Sequence, residues 1–251
     1  IMVYVAGCMG ATVLEYVTGV TMEALFKVRY WDYSKNRFNF QGHICLGTSL
    51  AWGFLTILMT EVVHVPVERF ALSIPDTTLK AVTGILTVYI AADFALSFKA
   101  AIDLRDVLVK MEKVKEEMVH IQKRLDVVIA LTGQEMESYK AALAESASVA
   151  KEEWAETMSM HIEDIKAGIE RRLEQLKALI PTWGKEQKKD MGEEILDLRT
   201  KYAINLEDRK RLGRLRDFFQ RDMVRSNPGM TSVRFREALE ELKRRTFGKD
   251  D

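Results

Sequence analysis

Cysteine and histidine are scarce, with two cysteines and four histidines in 251 residues. Cys8 and Cys45 both lie in apolar segments, and neither belongs to a CxxC or Cys/His pattern. The sequence therefore predicts no disulfide framework and no zinc site. The histidines are scattered along the chain and form no catalytic or metal-ligand pattern. We expect no metal and no cofactor.

The motifs that mark common enzyme sites are also missing. The sequence has no G-x-x-x-x-G-K-[ST] phosphate loop, no G-x-S-x-G nucleophile elbow and no H-E-x-x-H zinc motif. We therefore expect no enzyme activity and no catalytic residue. The formal net charge is zero, whereas nucleic-acid-binding proteins carry a basic excess on at least one face. No nucleic-acid partner is predicted.

Charged residues are rare in the first part of the chain. Residues 1–98 hold 13 charged side chains, whereas residues 99–251 hold 61. A helix needs about 20 mostly apolar residues to cross a membrane, and three such segments occur, at about 1–26, 44–63 and 79–98. The predicted fold is all-α, with a transmembrane domain over 1–99 and a cytoplasmic helical, coiled-coil-like domain over 100–251. The lipid bilayer is thus a predicted partner.

Basic residues in the connections indicate an orientation. The connection after the first span and the segment after the third are both basic, whereas the second connection carries only Arg69 and, at its edge, Lys80. The positive-inside rule then places the first connection and the C-terminal region in the cytoplasm. The chain begins at Ile1 inside an apolar run and lacks the basic leader of a signal peptide. We expect further membrane segments upstream.

Two acidic residues lie inside the predicted spans. Glu15 is about 18 Å from the basic edge of its span and Asp93 about 9 Å from Lys99, at about 1.5 Å per residue. An ionised carboxylate is costly in hydrocarbon, so each is a candidate proton, ion or substrate site, or an interhelical hydrogen-bond anchor. Glu23 lies near a span end, where we expect it to be solvated.

Small and polar residues in each span fall on one helical face, which predicts that the three faces pack against one another. The faces contain Cys8, Ala11, Thr12, Glu15, Thr18, Gly19 and Met22 in the first span, Ser49, Gly53, Thr56 and Thr60 in the second, and Tyr89, Asp93 and Ser97 in the third.

The third span is predicted to continue into the cytoplasm as one helix, since residues 79–132 contain a single glycine and no proline. Apolar residues there recur at alternating steps of three and four, forming a heptad seam of Leu104, Val107, Met111, Val114, Met118, Ile121, Leu125 and Val128. Leu and Met at position a with Val and Ile at d disfavour a parallel dimer. A homo-oligomer through these helices, or packing against another tail helix, are the alternatives.

The rest of the tail is predicted to be helical. A second long helix extends from about Gln134 to Ile180, and a third helical region covers about 186–225 with a break near Asn205. The tripeptide 227–229, Asn-Pro-Gly, predicts a turn, and a last short helix covers 232–245. The mixed-sign charged faces of these helices are predicted to contact solvent.

The connection between the first two spans combines aromatic residues with turn-forming residues. It contains Trp31, Asp32, Tyr33, Ser34, Phe38, Asn39 and Gly42, which we call the interfacial motif. Its aromatic rings, together with Phe40, are predicted to lie at headgroup depth. Asp32, Ser34 and Asn39 favour turns and helix caps, and Gly42 permits a backbone conformation denied to other residues. An interfacial lid is favoured over a docking surface or a transport gate.

Together with Glu15 to Gly19, Ile44-Cys45-Leu46 and Trp52-Gly53, the interfacial motif resembles the bacterial membrane family described as putative ABC-transporter type IV, or CmpB-like. The resemblance covers about the first 100 residues. It implies a multi-pass protein of the bacterial cytoplasmic membrane. It also implies a permease-like subunit that has no nucleotide site of its own and works with a separate ATPase subunit. The alternative is a membrane-anchored oligomeric scaffold or sensor acting through its cytoplasmic coiled coil.

Overall fold

The computed structural model describes residues 1–132, 156–180, 185–215 and 218–248. These residues are mainly helical, which confirms the predicted all-α class. The helices are α1 (Met2–Phe26), α2 (Leu46–Ile57), α3 (His64–Ser73), α4 (Asp76–Thr132), α5 (Ile162–Leu179), α6 (Lys185–Leu212), α7 (Phe218–Ser226) and α8 (Arg236–Thr246). A short antiparallel hairpin precedes α2 and consists of β1 (Asn39–Phe40) and β2 (Ile44–Cys45), with Asn39 opposite Cys45.

Three helical stretches are long and apolar enough to cross a membrane, namely Met2–Phe26, Leu46–Ser73 and Asp76–Ala130. Their number and order agree with the sequence prediction. Most of their large apolar side chains are exposed on the surface of the protein. A surface of this kind is stable against lipid tails and costly in water. The chain is therefore a membrane protein.

The second span is longer than predicted. A π-helical turn, Leu58–Val63, joins α2 to α3 without a break, so the helix ends at Ser73 rather than at Val63. Pro66 follows this turn closely, and its ring nitrogen has no hydrogen to donate to the preceding turn. The predicted second connection is reduced to residues 74–75, and Arg69 lies on α3.

The chain divides into two compact units. The first contains Ile1–Val107 and Leu215–Asp251, and the second contains Leu108–Arg214. The predicted membrane boundary near residue 99 does not coincide with this division, because the C-terminal segment joins the first unit. The single long helix α4 contributes to both units and confirms that the third span continues as one helix.

The core of the second unit is formed by three helices. Its buried apolar residues are Val114, Met118, Val119, Ile121, Leu125 and Val128 from α4, Ile162, Ile165, Ile169 and Leu176 from α5, and Leu198 and Tyr202 from α6. The predicted helix from Gln134 to Ile180 is therefore present in its second part, and its residues 134–155 lie outside the described residues.

Most residues of the heptad seam are buried by contacts within the same chain. Met111, Met118 and Leu125 are fully buried, and Leu104 in the first unit is 1% exposed, whereas Val107 is half-buried. Leu108 and Val119, which are not seam positions, are also fully buried. A buried face of this width is typical of a helix in a bundle and exceeds a two-position seam. Packing against other tail helices is the arrangement observed; a coiled coil between chains stays a prediction.

Polar contacts add specificity to this second unit. Arg209 is 2% exposed and its Nη1 donates to the Met111 carbonyl oxygen over 2.9 Å. A buried guanidinium group needs hydrogen-bond acceptors, and this bond to the α4 backbone holds α6 in one register on α4. The Tyr202 hydroxyl donates to Glu170 Oε1 at 3.1 Å. Burial is the main cause that raises the pKa of Tyr202 to about 12, and the nearby Glu170 carboxylate is the second.

The last helices differ in detail from the prediction. Helix α6 continues through Asn205, which is buried, so the predicted break at that position is wrong; the helix ends at Leu212. The turn at 227–229 is confirmed, with the Met230 N–H donating to the Asn227 carbonyl at 3.0 Å. Helix α8 begins at Arg236 rather than 232.

Candidate functional site

Glycines allow α1 and α2 to approach closely. A Cβ atom at Gly7 would overlap the Thr56 side chain, and one at Gly53 would overlap Cys8 Sγ and the Tyr4 ring. The small-residue faces of the first two spans therefore pack against each other as predicted. Tyr89 and Asp93 of the third face do not join them, because Tyr89 is 68% exposed and Asp93 is exposed as well.

Glu15 connects three parts of the first unit. Its Oε1 accepts a hydrogen bond from the Tyr33 hydroxyl at 3.1 Å, and its Oε2 accepts one from Trp52 Nε1 at 3.0 Å. Tyr33 belongs to the interfacial motif and Trp52 to α2. An acidic side chain in a span must be protonated, hydrogen-bonded or hydrated. Here both oxygens are hydrogen-bonded by neutral donors.

Tyr33 is held in its neutral form. Burial, together with the nearby Glu15 carboxylate, raises the pKa of Tyr33 to about 12. An anionic phenolate would repel the carboxylate that the phenol now contacts, so the proton stays on Tyr33 over the physiological pH range. Tyr33 is thus a permanent hydrogen-bond donor to Glu15.

A second polar cluster lies at the end of α1. Glu23 Oε2 is 2.8 Å from Arg29 Nε and 3.2 Å from His43 Nε2. His43 is 4% exposed, and it packs on Gly19, where a Cβ atom would lie 3.0 Å from His43 Nδ1. Glu23 keeps 25% of its side chain exposed, and the loop in addition folds back and brings Arg29 and His43 to it. Neither partner was predicted from the sequence.

Asp32, Ser34 and Gly42 form the tight turn of the interfacial motif. Asp32 Oδ1 accepts hydrogen bonds from the Ser34 N–H at 2.9 Å and from the Ser34 hydroxyl at 2.5 Å. The Ser34 hydroxyl bond is the main cause of a lowered Asp32 pKa, to which Arg29 adds. Gly42 has a φ of 75°, and a Cβ atom there would overlap Ser34 Oγ. The predicted need for glycine at this position is confirmed.

Asn39 closes the same loop. Its Nδ2 donates to the Asn36 carbonyl at 2.8 Å and to the Ser34 carbonyl at 3.2 Å, and its Oδ1 accepts from the Gly42 N–H at 3.3 Å. Asn36 in turn donates to Cys45 Sγ at 3.5 Å. Cys45 precedes α2, and its hydrogen bond with the Thr48 side chain is the main cause of its lowered thiol pKa. These contacts fix the entry into the second span.

The aromatic residues of the motif divide into two groups. Trp31 and Tyr33 point inward, with Trp31 Nε1 donating to the His43 carbonyl at 2.9 Å. Phe38 is 81% exposed and Phe40 is 54% exposed. Only these two phenylalanines are therefore available as membrane anchors, and the other two rings hold the loop on α1.

The C-terminal segment binds to the base of the interfacial motif. Arg29 and Thr231 exchange backbone hydrogen bonds of 2.7 and 2.8 Å. The Thr231 hydroxyl donates to Asp32 Oδ2 at 3.2 Å, and the Ser232 hydroxyl donates to the Lys27 carbonyl at 2.7 Å. No local pattern signals this contact, since about 200 residues separate the partners in the sequence.

The second intramembrane acid does not take part in this site. Asp93 is exposed on α4 and has no hydrogen bond or ion pair with another described residue. The two intramembrane acids therefore have different surroundings, hydrogen-bonded for Glu15 and exposed for Asp93.

The three spans and the hydrogen-bonded loop define a multi-pass α-helical membrane protein with an ordered loop at one end of its first two spans. Residues 1–98 match the model of the family described as putative ABC-transporter type IV, which confirms the resemblance carried by the interfacial motif. The match ends with the third span and does not extend into the tail. No curated protein and no solved structure shows significant similarity to the chain.

Proposed function

We propose that this chain is a permease-like subunit of an ABC transporter that has no nucleotide site of its own and takes ATP-driven motion from a separate ATPase subunit. The family match over the three spans supports this proposal. The observation that carries it is the Glu15 carboxylate, which lies within the first span and is hydrogen-bonded to both the second span and the interfacial motif.

Neutral donors stabilise the Glu15 carboxylate without cancelling its charge. Tyr33 and Trp52 each supply one hydrogen bond and no positive charge. A half-buried acid of this kind within a span is a candidate site for an ion or a cationic group. Because its two donors belong to different elements, any separation of the loop from α2 breaks one of the bonds. The proposal makes Glu15 the residue that senses this separation.

The proposed location is the bacterial cytoplasmic membrane, with the first connection and the C-terminal region in the cytoplasm. Lys27 and Arg29 supply the basic charge that favours the cytoplasmic side. The hydrogen bonds of Thr231 and Ser232 to these two residues support a common side for the connection and the C-terminal segment.

The test is purification of the protein from native membranes in mild detergent, with mass spectrometry of the proteins that accompany it. We expect a nucleotide-binding ATPase and measurable ATP hydrolysis. Glu15→Gln should lower this hydrolysis while the complex still assembles. Glu61→Gln is the matched control, because Glu61 is an exposed acid in the second span. Recovery of the chain without any ATPase would refute the permease proposal.

The scaffold alternative is supported by a different observation. Leu196 and Ile204 on α6 are 64% and 56% exposed, although both are large apolar residues. They are eight residues apart on one helix and so lie near the same face. This face offers a partner surface, whereas the fully buried seam residues do not.

The two functions can be separated by variants on this exposed face. Replacing both Leu196 and Ile204 with serine should abolish partner recovery if the protein is a scaffold, and should leave ATPase recovery unchanged if it is a permease. Polar substitution of Met111 or Met118 is unsuitable for this purpose, because both side chains are fully buried and the change would unfold the second unit.

A further inference from the structure

A cavity of about 330 Å³ lies in the first unit, where the first and third spans end. Its walls are largely apolar and come from three helices, with Met22 and Phe26 on α1, Phe94 and Phe98 on α4, and Phe219 and Met223 on α7. The Phe26 and Phe98 rings contact each other edge to face, with centroids 5.3 Å apart. The cavity is thus built around the ends of two spans.

The depth of the cavity follows from the charges next to these rings. Lys27 directly follows Phe26, and Lys99 directly follows Phe98; both lysines are exposed. A basic residue immediately after an apolar span marks the boundary between hydrocarbon and headgroups. The cavity therefore lies at the level where phospholipid chains meet their phosphates.

Helix α7 has the properties of a helix that lies in the membrane interface. Phe219 and Met223 line the cavity, while Phe218 and Arg221 lie on the exposed side. Phe218 is 66% exposed and Phe219 is 40% exposed. Exposed aromatic rings next to arginine on a helix outside the spans are typical of interfacial helices, which bury rings among acyl chains and direct arginine to phosphate.

We propose that the cavity binds one acyl chain of a membrane phospholipid and that α7 lies in the headgroup layer, with Arg221 directed to the lipid phosphate. The apolar wall fits the chain, and the Ser97 and Ser226 hydroxyls can donate hydrogen bonds to the ester and phosphate oxygens; Asp222 also lines the cavity and supplies no such donor. Lys27, Lys99 and Arg221 each directly neighbour or lie within two residues of a lining residue and are exposed, so this end of the spans carries the positive charge that attracts a phosphate. The proposal does not depend on transport and goes beyond the proposed function.

The test uses the full chain in phosphatidylcholine nanodiscs containing phosphatidylglycerol with a photoactivatable diazirine on its acyl chain. After illumination, labelled peptides are mapped by mass spectrometry. We expect strong labelling of residues 219–226, although α7 lies outside the spans. Labelling confined to the spans would overturn the proposal.

Two matched pairs of variants sharpen this test. Ser97→Phe fills the cavity and should remove most of the labelling of α7, whereas Ala95→Phe, on an exposed position outside the lining, should not. Arg221→Gln should lower α7 labelling about fivefold, from the typical contribution of one basic residue at an anionic surface. Arg244→Gln removes the same charge from an exposed position on α8 and should leave it unchanged. Equal effects within either pair would refute the assignment.

Discussion

Replacing Gly7 or Gly10 with alanine tests the packing of the first two spans. Both residues lie in α1, three positions apart. A Cβ atom at Gly7 would overlap Thr56, whereas one at Gly10 would have no neighbour within 4 Å. Gly10→Ala should therefore stabilise the protein by about 0.5–1 kcal/mol, the usual gain for alanine over glycine in a helix. Gly7→Ala has the same gain, offset by about 1–3 kcal/mol for overpacking.

The difference between the two variants isolates the overlap, because the helix-propensity gain cancels. About 1–3 kcal/mol corresponds to a difference in melting temperature of roughly 2–12 °C for a protein of this size. Melting is followed in mild detergent by tryptophan fluorescence, to which Trp52 in α2 contributes. Equal melting temperatures for Gly7→Ala and Gly10→Ala would show that α1 and α2 do not make the contact described.

Tyr33→Phe removes a hydrogen-bond donor to the Glu15 carboxylate. This change should lower the free energy of unfolding by about 1.5–3 kcal/mol, measured by the same melting assay. An unchanged melting temperature would refute the hydrogen bond. Tyr202 has a pKa of about 12 in the folded protein, above its ordinary value of 10. Its contribution to the free energy of unfolding should therefore be fully present below pH 10 and be lost between pH 10 and 12. Melting temperatures measured over this pH range should fall less steeply for Tyr202→Phe. Leu125→Ala should lower the free energy of unfolding by about 2–5 kcal/mol, because Leu125 is fully buried. Leu196→Ala, at an exposed position, should change it by less than about 0.5 kcal/mol. Both values are measured by chemical denaturation.

The candidate site was only partly predictable. Glu15 stands out in the sequence because an acid in an apolar run is rare. Its donors could not be identified, since Tyr33 was interpreted as a membrane anchor and Trp52 as part of an apolar span. The choice between anchor and hydrogen-bond donor depends on which way the loop folds, and the sequence pattern is compatible with both.

The partners of Glu23 could not be predicted from the sequence either. Its position near a span end predicted hydration, yet Arg29 and His43 both reach it. The contact requires the chain to reverse direction at Lys27, which has a φ of 61°, and to return through the hairpin to His43. Hydropathy reports the depth of a residue along a span and contains no information about such a return.

The features that depend on local pattern could be predicted from the amino-acid order alone. Hydropathy located three spans, the absence of proline predicted the continuous helix α4, and heptad spacing identified buried positions such as Met111 and Leu125. The contacts between these elements became visible in the folded chain. The seam residues from Val114 to Val128 pack on α5 and α6, and Thr231 pairs with Arg29, because burial and hydrogen bonding select partners that lie far apart along the chain. Periodicity specifies that a face is buried, whereas the partner of that face is set by the contacts of the whole chain.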